Sequence, residues 1–73
     1  HRDAEAITAL RSYLHRHPAS TRGPEAQAML GWLLLDGGDR AAAKVAFDVA
    51  AASSVPRARA SAQRGLSRLT GQR

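Results

Sequence analysis

The chain has 73 residues, 44% of them hydrophobic but only 4% aromatic, with no cysteine and a formal net charge of +5. That length allows one small domain that buries only about 60% of its unfolded surface, the mark of a fragment of a larger protein or of an oligomer. The missing cysteines exclude disulfide staples and thiolate zinc sites and leave the redox compartment open, and the longest strongly apolar run, Trp32 to Leu35, falls far short of the roughly 20 residues a membrane-spanning helix needs.

No signal-peptide pattern is visible, and the abrupt start at His1 reads as a boundary inside a longer protein whose targeting segment, if it has one, lies outside this sequence. The first helix is expected over about 3–16. Ala6, Ile7, Leu10 and Leu14 form its apolar stripe, with Tyr13 on the edge. Asp3 and Glu5 in its first turn and Arg16 in its last suit the helix dipole. Pro18 ends it, because the residue before a proline is pushed out of the helical region. After the polar loop Ala19–Gly23, Pro24 opens a second helix over about 24–36, since a first-turn residue needs no N–H. Ala26, Met29, Leu30, Leu33 and Leu34 make one broad face, and Trp32 and Leu35 fall outside it. A helix apolar nearly all round is buried on more than one side.

Gly37-Gly38 stops this helix, and Asp39 is placed to cap a third over about 39–52. There Ala42, Ala43, Ala46, Phe47 and Ala50 recur at helical spacing, with Val45 and Val49 offset, and the alanines invite close helix approach. Ser53 and Ser54 break it. Pro56 opens a fourth helix over about 56–70, whose large apolar residues are only Leu66 and Leu69, with Ala58, Ala60 and Ala62 as small spacers. This helix is expected to fray or to need a partner. It also holds the positive charge: residues 56–73 carry five arginines and no acid, whereas 24–55 carry two basic residues against four acids. Arg57, Arg64 and Arg68 share one face at spacings of seven and four, a basic patch that either meets an acidic partner or phosphate or is a solvated helix surface. The preference for arginine over lysine, with abundant alanine, is of the kind a GC-rich bacterial genome produces.

A shift of 34 residues superimposes Gly31 on Gly65, Tyr13 on Phe47 and Ala9 on Ala43. Glycine inside a helix costs about 1 kcal/mol relative to alanine, and a close crossing, with Gly31 against Ala43 and Phe47, supplies a reason for it. Leu30-Gly31, Ala43, Phe47, Ala50 and Pro56 resemble the tetratricopeptide repeat, with Gln27 and Leu34 replacing its usual aromatics and the proline one residue late. The flanking segments are similar to half repeats, but Arg16 and Arg64 depart from the pattern. The texture is similar to repeat modules of bacterial envelope lipoproteins and signalling scaffolds. The resemblance implies an all-α fragment of a right-handed α-solenoid, built from antiparallel helix hairpins, that binds partners on a concave surface. The matching concave positions are Glu25, Ala28, Trp32, Leu35 and Asp36, then Arg59, Ala62, Leu66 and Leu69.

Trp32 with Leu35 reads either as an exposed apolar anchor, with Arg59 steering acidic groups, or as core packed on the last helix. No catalytic centre is legible. His15 and His17 are two apart and point to different sides of a helix, His1 stands at the chain start, and a third metal ligand is missing. Asp36-Gly37-Gly38-Asp39 lacks the alternating acids of a calcium loop and reads as a capped turn. Ser53 and Ser54 have no histidine base near them. The expectation is a protein–protein interaction module without cofactor, docking a partner segment or a second copy around Trp32. The alternative is binding of nucleic acid or another polyanion through the arginine-rich last helix.

Overall fold

Four helices form where the sequence signals place them. A computed structural model describes residues 2–71, with α1 at Arg2–Arg16, α2 at Gly23–Asp36, α3 at Arg40–Ala51 and α4 at Pro56–Leu69. His1 and Arg73, weighed above for metal binding and charge, lie outside the described residues. The fold is all-α, with no strand among the described residues.

Each boundary has a local cause. Gly38 takes φ +90° after α2, so that the Gly38 amide donates to the Leu35 carbonyl (3.0 Å) and the Asp39 amide to the Leu34 carbonyl (2.9 Å). This pair of bonds is the Schellman motif, and it satisfies carbonyls that the helix end would otherwise leave open. Asp39 stands one residue ahead of α3 as its cap, accepting the Ala42 amide at 3.1 Å. Ser53 Oγ accepts the Val55 amide at 2.9 Å, and Pro56 then opens α4.

The helices make a slab 36 × 32 × 15 Å. The tight Gly37-Gly38 turn folds α2 and α3 into a helical hairpin. α4 returns along α3, and the Arg40 guanidinium donates to the Leu69 carbonyl at 2.6 Å, joining the start of α3 to the end of α4. Glu25 and Arg57 bring the starts of α2 and α4 together. α2 is therefore flanked by α1, α3 and α4, whereas α1 packs on α2 alone and has no fully buried residue.

The core is mostly alanine: Ala28, Ala43, Ala46, Ala50, Ala58 and Ala62 are buried with Leu30, Leu34 and Phe47. Phe47 is the only large side chain among them that is fully sealed. Its ring fills the space above both central glycines. A β-carbon added at Gly31 would lie 2.6 Å from Phe47 Cε1, and one at Gly65 would come closer still, inside the 3.0 Å that real Cβ atoms respect. The crossing expected at Gly31 is present, and Gly65 meets the same ring from α4.

One expectation is corrected. Met29, assigned to the broad buried face of α2, is 58% exposed. α2 has neighbours on three sides, so its remaining side is open whatever residue stands there. α4 is helical to Leu69 and buries Ala58, Ala62 and Gly65 rather than large side chains, while Ala60 is exposed.

The glycines generate a prediction with a sign that helix propensity alone gets wrong. Gly31→Ala or Gly65→Ala gains about 1 kcal/mol in propensity but overpacks the Phe47 ring, which costs about 1–3 kcal/mol or more. Urea unfolding should show each change as destabilising. Gly65→Ala combined with Phe47→Leu should cost less than the two single changes summed.

Candidate functional site

Where α2 and α4 run side by side they leave a groove of about 310 Å³, open to solvent. Glu25, Ala28, Met29 and Trp32 form the α2 wall, and Arg57, Ala58 and Ser61 the α4 wall. The proline at the start of each helix and the buried glycines place these walls. Gly31 and Gly65 draw both helices onto Phe47, which leaves the short side chains Ala28 and Ala58 at the bottom of the gap.

Trp32 belongs to two environments. Its ring meets Phe47 edge-on, with centroids 5.3 Å apart and planes at 75°, a favoured aromatic arrangement. Its Nε1–H donates to Ser61 Oγ at 3.0 Å across the groove. The indole is thus held by Phe47 of the core and, at its polar tip, by Ser61 of α4, and it stays half-buried as part of the wall. At the mouth, Arg57 Nη1 lies 3.6 Å from Glu25 Oε2, with side chains 88% and 45% exposed. A pair this open and this long contributes little to stability. The carboxylate and the guanidinium are free to exchange partners.

Of the concave positions expected from the repeat pattern, Glu25, Ala28 and Trp32 line this groove. Leu35, Leu66 and Leu69 do not. They are half-buried and pack against the core cluster. Ala62 is fully buried as a member of that cluster, and Asp36 and Arg59 are exposed outside the groove lining. Trp32 and Leu35 are therefore not an open apolar pair: both are half-buried against the core cluster, and Trp32 is tied to α4 through Ser61. The exposed apolar partner of Trp32 is Met29, three residues before it. Arg57, assigned to the basic patch, is brought to the groove mouth, while Arg64 and Arg68 are exposed and make no ion pair among the described residues. Met29 and Ala58 stood in the sequence as helix-face and spacer residues and Ser61 carried no expectation, yet all three line the groove. The spacing of Arg57, Ser61, Arg64 and Arg68, at steps of four, three and four, was the available signal for Ser61.

The rest of the surface holds weaker features. Val45 and Val49 are exposed beside Leu30, Leu34 and Ala46, on a shallow depression reached by Arg11. The Tyr13 hydroxyl bonds to Ser20 Oγ and its ring meets His17, which closes the α1–α2 loop. No group of three His, Asp or Glu residues converges among the described residues, and no helix is long and apolar enough to cross a membrane. No family model matches the chain, and no curated protein or solved structure matches it.

The Trp32–Ser61 bond is expected to act as a unit. Trp32→Phe keeps the aromatic contact and loses the donor, and Ser61→Ala loses the acceptor. Each should lower stability by about 1 kcal/mol, and the double change by little more than the larger single one, as measured by chemical unfolding.

Proposed function

We propose that this chain is a protein-interaction module of tetratricopeptide-like construction, and that it docks a partner segment in the α2–α4 groove. It is a binding module, not an enzyme. Met29 carries the reading. A long thioether side chain stands 58% exposed beside a half-buried tryptophan, above a floor of alanines. Methionine and tryptophan are enriched at interface cores, and methionine adapts its shape to what it meets. The groove volume lies at the low end of the range for small-molecule pockets, about 300–1,000 Å³, which leaves room for one anchoring apolar side chain from a partner. The repeat reading is supported by the 34-residue step between the two glycines on Phe47, by the thin slab, and by an α1 that packs on one neighbour only, as the end member of a stack does. In that reading the helices belong to a right-handed scaffold of bacterial type.

A second reading, binding of a polyanion by α4, rests on Arg59, Arg64 and Arg68, which are exposed and unpaired among the described residues. It requires strong salt dependence and no role for Met29.

Selection of a displayed random peptide library on the immobilised chain tests the groove. Met29→Lys is the informative variant, because a Lys four residues after Glu25 supports the helix while it fills the groove with charge. Selected peptides should bind this variant at least tenfold more weakly, with circular dichroism unchanged. Trp32, the single tryptophan of the chain, should change emission on binding. Peptides that bind the variant as well as the parent chain would refute the groove.

A further inference from the structure

The groove has an electrical direction as well as an apolar centre. On α4, Arg57, Ser61, Arg64 and Arg68 fall at steps of four, three and four, and so lie on one stripe of the helix. Arg57 and Ser61 are walls of the groove, so the stripe continues past it through Arg64 and Arg68. The two ends differ. At the Arg57 end Glu25 is 3.6 Å away and offsets the charge. Toward Arg64 and Arg68, no carboxylate pairs with either guanidinium among the described residues. An occupant therefore meets a paired charge at one end, an apolar middle, and at the other end Arg64 and Arg68 on α4, which outnumber the single carboxylate of Asp36 on α2.

We propose that the occupant is an acidic protein segment with one bulky apolar side chain. That side chain seats on Met29 and Trp32. Asp or Glu side chains to one side of it meet Arg64 and Arg68. Along the helix axis Arg64 lies about 4.5 Å and Arg68 about 10.5 Å beyond Ser61, at 1.5 Å per residue. An extended peptide advances about 3.3 Å per residue, so the carboxylates belong one to three residues from the anchor. A phosphate polymer fits less well. Its charge is uniform, and the α2 side carries Glu25 at one end of the Met29–Trp32 stripe and Asp36 at the other, both exposed. A peptide can place an uncharged residue where those carboxylates stand. The inference rests on the groove reading above and specifies its occupant.

The peptide selection separates the two. Enriched sequences should hold an apolar residue with Asp or Glu within three positions on one side. Arg64→Gln with Arg68→Gln should weaken them by about tenfold, the sum of two surface ion pairs. Arg64→Lys with Arg68→Lys should restore most of the loss, and high salt should erase the difference between parent and Gln variants. Both arginines are exposed, so circular dichroism should not change. Enriched sequences that are apolar but neutral, lost on Met29→Lys and indifferent to the Arg64 and Arg68 changes, would overturn the acidic occupant and leave the groove reading standing. Selection of nothing, or of peptides indifferent to Met29→Lys, would overturn both. A single-stranded oligonucleotide that binds the chain, resists Met29→Lys and is lost at high salt would replace the protein occupant with nucleic acid.

Discussion

Phe47 can stand at the centre of this protein only because positions 31 and 65 carry no β-carbon. The ring lies over both glycines at once, which fixes how near α2 and α4 come to α3. Much else follows from that spacing. A chain of 73 residues has few large side chains with which to fill a core, and the buried set is mostly alanine. Alanine adds little apolar area, so the helices must approach until backbone meets side chain before dispersion contacts become dense. Truncation of a buried phenylalanine typically costs about 3–5 kcal/mol, a large share of the stability of a domain this small.

The groove is a by-product of the same approach. Two helices drawn onto one ring diverge on the side away from it. The short side chains of Ala28 and Ala58 do not close the gap, and Trp32 bridges it only at its tip, through Ser61. The indole therefore has a stabilising role and an exposed face together. Loss of binding after its removal would be ambiguous for that reason, whereas Met29 stands mostly in solvent and carries little of the core. The charge arrangement has a separate origin. α4 buries only Ala58, Ala62 and Gly65, so most of its circumference faces solvent and accommodates arginine.

The helices were legible in the sequence because their signals are local. Prolines at 24 and 56, Gly38 with its positive φ, and Asp39 at the start of α3 each act within a few residues. The glycine crossing was legible too. A mid-helix glycine is costly, and its recurrence at a 34-residue step, with small residues and an aromatic nearby, points to helices in close contact. The groove was only partly so. Glu25, Ala28 and Trp32, concave positions of the repeat pattern, line it, while Leu35, Leu66 and Leu69 of the same set pack against the core cluster.

What the sequence determined by itself was the number of helices, where they start and stop, and the ring-on-glycine contact at Gly31 between α2 and α3; that Gly65 of α4 meets the same ring came from the structure. What only the tertiary structure decided was which side of α2 stays open. That helix is apolar nearly all round in its second half, so no stripe singles out a buried face, and its exposed sector is whatever α1, α3 and α4 leave uncovered. Met29 lies in that sector, Trp32 lies on its border, and Ser61 becomes a partner of Trp32 across 29 residues of sequence. A one-dimensional pattern records how apolar a residue is. It does not record how many neighbours surround the helix that carries it.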